Sequence, residues 1–399
     1  MIHIAIDTNG IAGHDRSVKS ANFQALKRLV ENNELKIHVP YIVKRELETQ
    51  QKAFYLDFYK EFEKNLNRFK KAPKSQDVYD LFRNFKNDFT NLVKNIDQDS
   101  DDFSKKLLTQ LNCQIYEIDQ QQATSAFEAY FNGTAPLTNN APKNREDIPD
   151  SFICRSFEKI KESVDNLILI TADGKIVNTF KDKENFKVFS SISDFIQSPT
   201  IQEILEELDT ITGKSIVQGK LGNLIDFIKQ YESITSLMES FLEDKIGEKI
   251  LYANIYDIPL SNDIDGEASI NSYNNGENIK IDLDNPIHYG DNQIGYTFEL
   301  EIEVVVDYFI NKSDYYTEFY AGQNLASNIS VDDWNDHVFH AESDVCLKVT
   351  GIVSITINTS NVDFPEIANC DPDDLDDHLY DLYSESIINI ESIGEIEVI

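Results

Sequence analysis

The sequence predicts an α/β fold with a central parallel sheet and a helical-hairpin insertion, followed by a helical bridge and an acidic antiparallel β domain. Three observations carry this expectation. Short apolar, β-branched runs alternate with amphipathic helical stretches over about residues 1–190. After residue 250 the pattern changes to longer alternating runs. The charge also divides: residues 1–200 hold 28 Lys+Arg against 29 Asp+Glu, whereas residues 201–399 hold 8 against 41. A chain of 399 residues has room for two or three domains, and the expected divisions are 1–200, 201–249 and 250–399.

Taken in order, IHIAI (2–6) reads as a buried strand that runs into Asp7-Thr8-Asn9-Gly10. Phe23, Leu26, Leu29 and Val30 mark a first helix, and LKIHV (35–39) a second strand. Pro40 is expected to open the next helix, because its fixed φ suits a first helical turn. Phe54, Phe58, Phe62 and Leu66, then Leu81, Phe82, Phe85, Phe89 and Leu92, form facing stripes of a helical hairpin over about 51–110. Such stripes read as packing core rather than base-stacking surface. Residues 114–118 suggest a third strand, followed by a helix through Phe131 and a loop over 132–149. Asp150 then stands at the N-cap or first turn of the helix SFICRSFEKIKES. LILI (167–170) is a buried strand ending in Thr171-Ala172-Asp173-Gly174, and 188–189 a further short strand. Residues 201–249 carry helical spacing, and Asn275-Gly276 signals a hairpin turn within the β domain.

Hydrophobic residues make up 41% of the chain, enough to build cores and to exclude a wholly disordered protein despite a net charge of −34. No apolar run reaches the ~18–20 residues of a membrane span. The N-terminus is already strand-like and lacks a basic leader region. Cys113, Cys154, Cys346 and Cys370 are scattered, as expected of free thiols in a reducing compartment. These features predict a cytoplasmic protein without a membrane partner. After Lys249 the basic residues are Lys280, Lys312 and Lys348, too few for the acidic half to grip a phosphate backbone by itself.

Four acids of the first half occupy positions where α/β folds place ligands, beyond the carboxyl ends of strands and at the starts of helices. Asp7 ends the first strand, Glu46 lies on the second helix, Asp150 opens a later helix, and Asp173 follows a later strand. Each alone is an ordinary turn or cap residue. Together they are the oxygen-donor set that Mg²⁺ or Mn²⁺ requires, with positions left for water and phosphate oxygens. Asp147, three residues before Asp150, competes for the third position or supports it.

The segments IAIDTNGI, HVPYIVKRELE, IPDSFICRSFEKI and LILITADGKI, in this order, resemble the PIN-domain nucleases. The resemblance covers about residues 1–190 and is nearest to bacterial PIN-like proteins with a long helical insertion between the Glu helix and the third acid, here 51–145. It implies a three-layer PIN-like fold and makes Asp7, Glu46, Asp150 and Asp173 the catalytic metal ligands. Thr8, Asn9 and Thr171 would support the metal site. It implies endonucleolytic hydrolysis by metal-activated water, with RNA the commoner substrate and 5′-phosphate and 3′-hydroxyl ends. A toxin or phage-defence role would fit bacterial members.

Lys60, Lys64, Arg68 and Lys71 recur at three to four residues on one helix face, with Lys70 and Lys74 beside them. Lys44 and Arg45 flank Glu46, and Lys143, Arg145 and Arg155 flank Asp150. These cations are the candidate nucleic-acid surface; a merely solvated helix face is the plainer reading. His337 and His340, with Cys346 nearby, lack the remaining ligand spacing for zinc. The acidic β domain has three open roles: binding a basic protein, self-association, or shielding the protein's own basic surface. The alternative to an enzyme is a catalytically silent module that binds nucleic acid or protein, with the β domain as its partner-binding element.

Overall fold

The computed structural model describes residues 1–11, 18–70, 85, 91, 105–136, 148–209, 224–262, 266–320, 329–360, 363–371, 374, 380 and 383–399. The chain divides into two compact units, Met1–Ser198 and Pro199–Ile399.

The first unit is built on β1 (Ile2–Ile6), β2 (Leu35–Pro40), β3 (Gln114–Tyr116), β4 (Leu167–Ile170) and β5 (Phe186–Phe189). They form one sheet in the order β3-β2-β1-β4-β5, parallel at every pairing. The helices are α1 (Ala21–Glu31), α2 (Tyr41–Lys70), α3 (Gln120–Asn132), α4 (Ile148–Lys161), α5 (Gly174–Phe180) and α6 (Ile192–Ile196). Ile4, Ala5, Ile6, Ile37, Val39, Leu167, Leu169 and Ile170 are buried. Continuous apolar strands of this kind are what a parallel sheet covered on both faces demands. Ser20 caps α1, and Asp119 with Gln122 closes a capping box on α3. Pro40 ends β2 instead of opening the helix, pairing with Tyr116 across the sheet edge. Asp150 falls in the first turn of α4. Phe62 meets Phe85 edge-on at 5.4 Å between ring centroids, joining the two expected stripes. Most of the second stripe lies outside the described residues.

Strands β2 and β3 extend the sheet to one side of β1, and β4 and β5 to the other. The boundary between β1 and β4 is therefore the switch point at which a crevice opens beyond the strand ends. Gly10 closes tightly over it: a Cβ there would lie 2.5 Å from the Ile170 carbonyl oxygen and 2.9 Å from Ile170 Cγ2.

The second unit carries α7 (Pro199–Glu207), α8 (Leu224–Gln230) and α9 (Glu232–Ile250). Its strands are β6 (Asn254–Ile255), β7 (Ala268–Gly290), β8 (Gln293–Asn311), β9 (Ile329–Asp333), β10 (Val338–Thr356) and β11 (Ile387–Val398). The sheet runs β11-β10-β8-β7-β6, with β9 also paired to β10, and all its pairings are antiparallel. Ile234, Met238, Leu242, Ile246 and Ile250 recur every fourth residue of α9 and are buried in one core with Ile270, Tyr296, Phe298, Leu300 and Ile302. Of the helices expected over 201–249, α8 and α9 thus contribute core to the second unit. Among the described residues, no helix is long and apolar enough to cross a membrane.

The expected turn at Asn275-Gly276 is not one. Both residues lie within β7, where a Cβ on Gly276 would stand 3.2 Å from Ile246 Cγ2 of α9. The hairpin turns instead at Asp291-Asn292, both with positive φ (52° and 60°), as a tight two-residue turn requires. Asp209, just after α7, accepts from the Asn292 amide at 2.9 Å and pairs with His288 Nδ1 at 2.9 Å, holding that turn in place.

Gly10→Ala should cost about 1–3 kcal/mol of stability, the usual penalty of overpacking. Gly174→Ala, which has nothing within 4 Å of the added carbon, should leave stability unchanged. Chemical denaturation of both variants checks this.

Candidate active site

The Asp7 amide donates to the Ile170 carbonyl at 2.9 Å, so the β1–β4 pairing reaches the residue itself. Its carboxylate is then held from two sides. Oδ1 accepts from the Thr8 amide at 2.7 Å, and Oδ2 accepts from the Thr171 hydroxyl at 2.8 Å. Thr171 Oγ1 in turn accepts from the Asp173 amide at 3.1 Å. Asp173 caps α5, its Oδ1 accepting from the amides of Lys175 (2.7 Å) and Ile176 (3.0 Å). On the other flank, the Thr8 hydroxyl donates to the Glu46 carboxylate of α2. Asp150 Oδ2 stands 3.6 Å from Lys175 Nζ. A continuous run of short contacts thus joins Glu46, Thr8, Asp7, Thr171 and Asp173, and Lys175 beside it faces Asp150.

The charges of these acids act on one another in pairs. Burial, aided by the Glu46 and Asp173 charges, holds the Asp7 carboxyl up at about 6 rather than 3.8, against the Thr171 and Thr8 hydrogen bonds. Glu46 is also raised, first by burial and then, against its bond from Thr8, by the charge of Asp150. A buried carboxyl facing like charges is a common signature of functional sites.

Residues 4–176 match the model of the PIN domain. The first unit is a PIN domain. The match takes in Asp7, Glu46, Asp150 and Asp173, and leaves the second unit outside it. Among curated proteins and solved structures, none matches the chain. The PIN domain is generally a nuclease fold; its members bind nucleic acid and usually use divalent metals such as Mg²⁺.

Among the described residues, no three His, Cys, Asp or Glu side chains already stand close enough to share one ion. Asp150 stands instead beside Lys175, at 3.6 Å. The donor chemistry nevertheless fits a hard cation: every candidate ligand offers oxygen, and the charge pressure on Asp7 and Glu46 is what a cation relieves.

The other sequence candidates fare differently. Asn9 is exposed on the turn after β1, so Thr8 rather than Asn9 reaches Glu46. Asp147, Arg145 and Lys71 lie outside the described residues, as does the side chain of Arg68. Lys44 (at 3.8 Å) and Arg45 pair with Glu48, Lys60 pairs with Asp57 at 2.8 Å, and Arg155 pairs with Glu158. Lys64 is exposed. The paired cations are thus engaged by acids of their own helices. Sequence reasoning missed Lys175, a cation 3.6 Å from Asp150; its place two residues after Asp173, in the first turn of α5, was the available signal.

Because the Asp7 pKa is raised by folding, the native state binds its proton more tightly than the unfolded chain does. That contribution is present below about pH 4 and is lost as pH rises through about 6. In metal-free protein, Asp7→Asn should therefore be the more stable form at neutral pH, by on the order of 2–3 kcal/mol. The advantage should shrink toward pH 4. Denaturation of both proteins across this range measures it.

Proposed function

We propose that the first unit is a metal-dependent endonuclease acting on RNA. The observation that carries this reading is Asp7: buried at the switch point, held at both oxygens, and pressed by the charges of Glu46 and Asp173. Asp7, Glu46, Asp150 and Asp173 would hold one or two Mg²⁺ or Mn²⁺ ions. Such ions, when bound, supply an activated water and neutralise charge at phosphorus. The chain's own part is positional. Thr8 and Thr171 orient the two oxygens of Asp7, Thr8 also orients Glu46, and the cap on α5 fixes Asp173. Lys175 sets a positive charge beside Asp150, where the charge of a phosphodiester would gather. Lys44, Arg45, Lys60, Lys64, Arg68, Lys71, Arg145 and Arg155 are the proposed nucleic-acid side. RNA rather than DNA rests on the resemblance noted above.

The four cysteines are free, which suits the proposed cytoplasmic setting. The second unit, poor in cations, is proposed to meet a basic protein rather than nucleic acid.

Labelled single-stranded RNA, single-stranded DNA and duplex DNA, each with Mn²⁺ or with EDTA, test the reading. RNA should be cleaved with Mn²⁺ alone, and the Asp7→Asn/Asp173→Asn protein should fall to the EDTA level. Cleavage in EDTA, or an active double variant, contradicts it. No cleavage of any polymer favours the silent binding module.

A further inference from the structure

Strand β8 has two unlike faces. Leu300, Ile302, Val304 and Val306 enter the core of the second unit. Alternate residues Glu299, Glu301, Glu303 and Asp307 lie on the opposite face, by the two-residue period of a strand. The register sets more acid beside them: Glu277 opposite Glu301, and Glu342 opposite Asp307. Like charges directly opposite one another weaken a sheet. The lysines after Lys249 relieve one end of the row only, where Lys348 also stands opposite Glu301 in the register. Lys280 and Lys348 both serve Glu299, at 3.5 and 2.8 Å, and Lys312 pairs with Asp333. Glu301 and Glu303 have neutral amide partners, Asn278 at 2.6 Å and Asn274 at 3.1 Å. The Cys346 thiol, opposite Glu303, is pushed up by burial and then by Glu301, Glu303 and Glu277, whose charges converge there.

At one end of the row stands an aromatic shelf. Trp334 is 61% exposed. Its ring lies 5.3 Å from Phe309 and 6.4 Å from His340, and His340 Nε2 is 3.5 Å from Asp307. At the other end, a cleft of about 570 Å³ crosses four strands, its lining including Lys280, Asp282, Thr297, Glu299, Thr350 and Ser392.

Resting on the reading of the second unit as the element that meets a basic protein, we propose that this outer face of its sheet docks an extended, arginine-bearing segment of a partner protein, with Trp334 as its stacking anchor. A guanidinium stacks on an indole while donating to carboxylates, which a lysine does less well. Alternate side chains of an extended segment point the same way, matching the two-residue spacing of Glu299, Glu301 and Glu303. The row repels nucleic acid and acidic partners.

Trp334 is the chain's one tryptophan, so its emission reports from the shelf. The full-length protein is titrated with a nona-arginine peptide, and separately with a nona-glutamate peptide and an RNA oligomer. The arginine peptide should produce a saturable emission change that weakens with salt, and the other two none. Glu301→Gln/Glu303→Gln/Asp307→Asn should weaken binding roughly ten-fold. The charge-matched variant Glu203→Gln/Glu207→Gln/Glu232→Gln, on exposed α7 and α9 positions, should bind as wild type. Absence of a saturable change, equal weakening by both triple variants, or the same response to RNA would overturn the proposal.

Discussion

The site depends on the parallel pairing of β1 with β4. That pairing continues to the Asp7 amide on Ile170 and brings Thr171 within hydrogen-bonding reach of the Asp7 carboxylate. Everything at the crevice is referenced to it. Gly10 fits over Ile170 only without a side chain. Asp173 is placed by the same strand end, through its own amide on Thr171. Glu46 is reached by one hydroxyl, that of Thr8, the residue after Asp7. Hydrogen bonds alone would lower the Asp7 pKa; burial outweighs them, and the neighbouring acids add to it. The fold therefore places a carboxyl where it is disfavoured as an anion, a cost typical of sites kept for chemistry rather than stability.

Charge is handled in opposite ways in the two units. In the first, cations and acids balance, and the described pairs are mostly local, within one helix. The uncompensated charge is concentrated at the buried acids. In the second, acids so outnumber cations that Glu299 draws two of the few lysines. Glu301 and Glu303 accept from neutral amides on the outer sheet face, with Lys348 opposite Glu301. The first arrangement suits an ion and a phosphate, the second a cationic partner.

Much of this was legible in the sequence because parallel strands and amphipathic helices announce themselves locally. The runs at 2–6, 35–39 and 167–170 read directly as strands, and Asp7 and Asp173 as the acids that follow two of their ends. The longer alternating runs after residue 250 sort a strand into two faces, and in β8 Glu299, Glu301 and Glu303 do share one. What failed was tertiary. Asn275-Gly276 has turn chemistry, but its glycine serves a close approach of β7 to α9, which no local pattern reveals. The Asp291-Asn292 turn lacks the usual glycine and is stabilised from outside by Asp209. Helical spacing over 201–249 was visible, yet nothing nearby in sequence shows which face of α9 the strands beyond 268 cover. Lys175 was passed over because its partner, Asp150, is distant in sequence.

The central claim is that Asp7 anchors one cation-binding site shared by the four acids. Thermal unfolding with and without Mn²⁺, on wild type and on Asp7→Asn, tests it most directly. The account predicts that Mn²⁺ raises the midpoint of the wild type at neutral pH. The rise should fade well below the Asp7 pKa of about 6, where the carboxyl keeps its proton, and should be absent in Asp7→Asn. An undiminished rise in Asp7→Asn would contradict it.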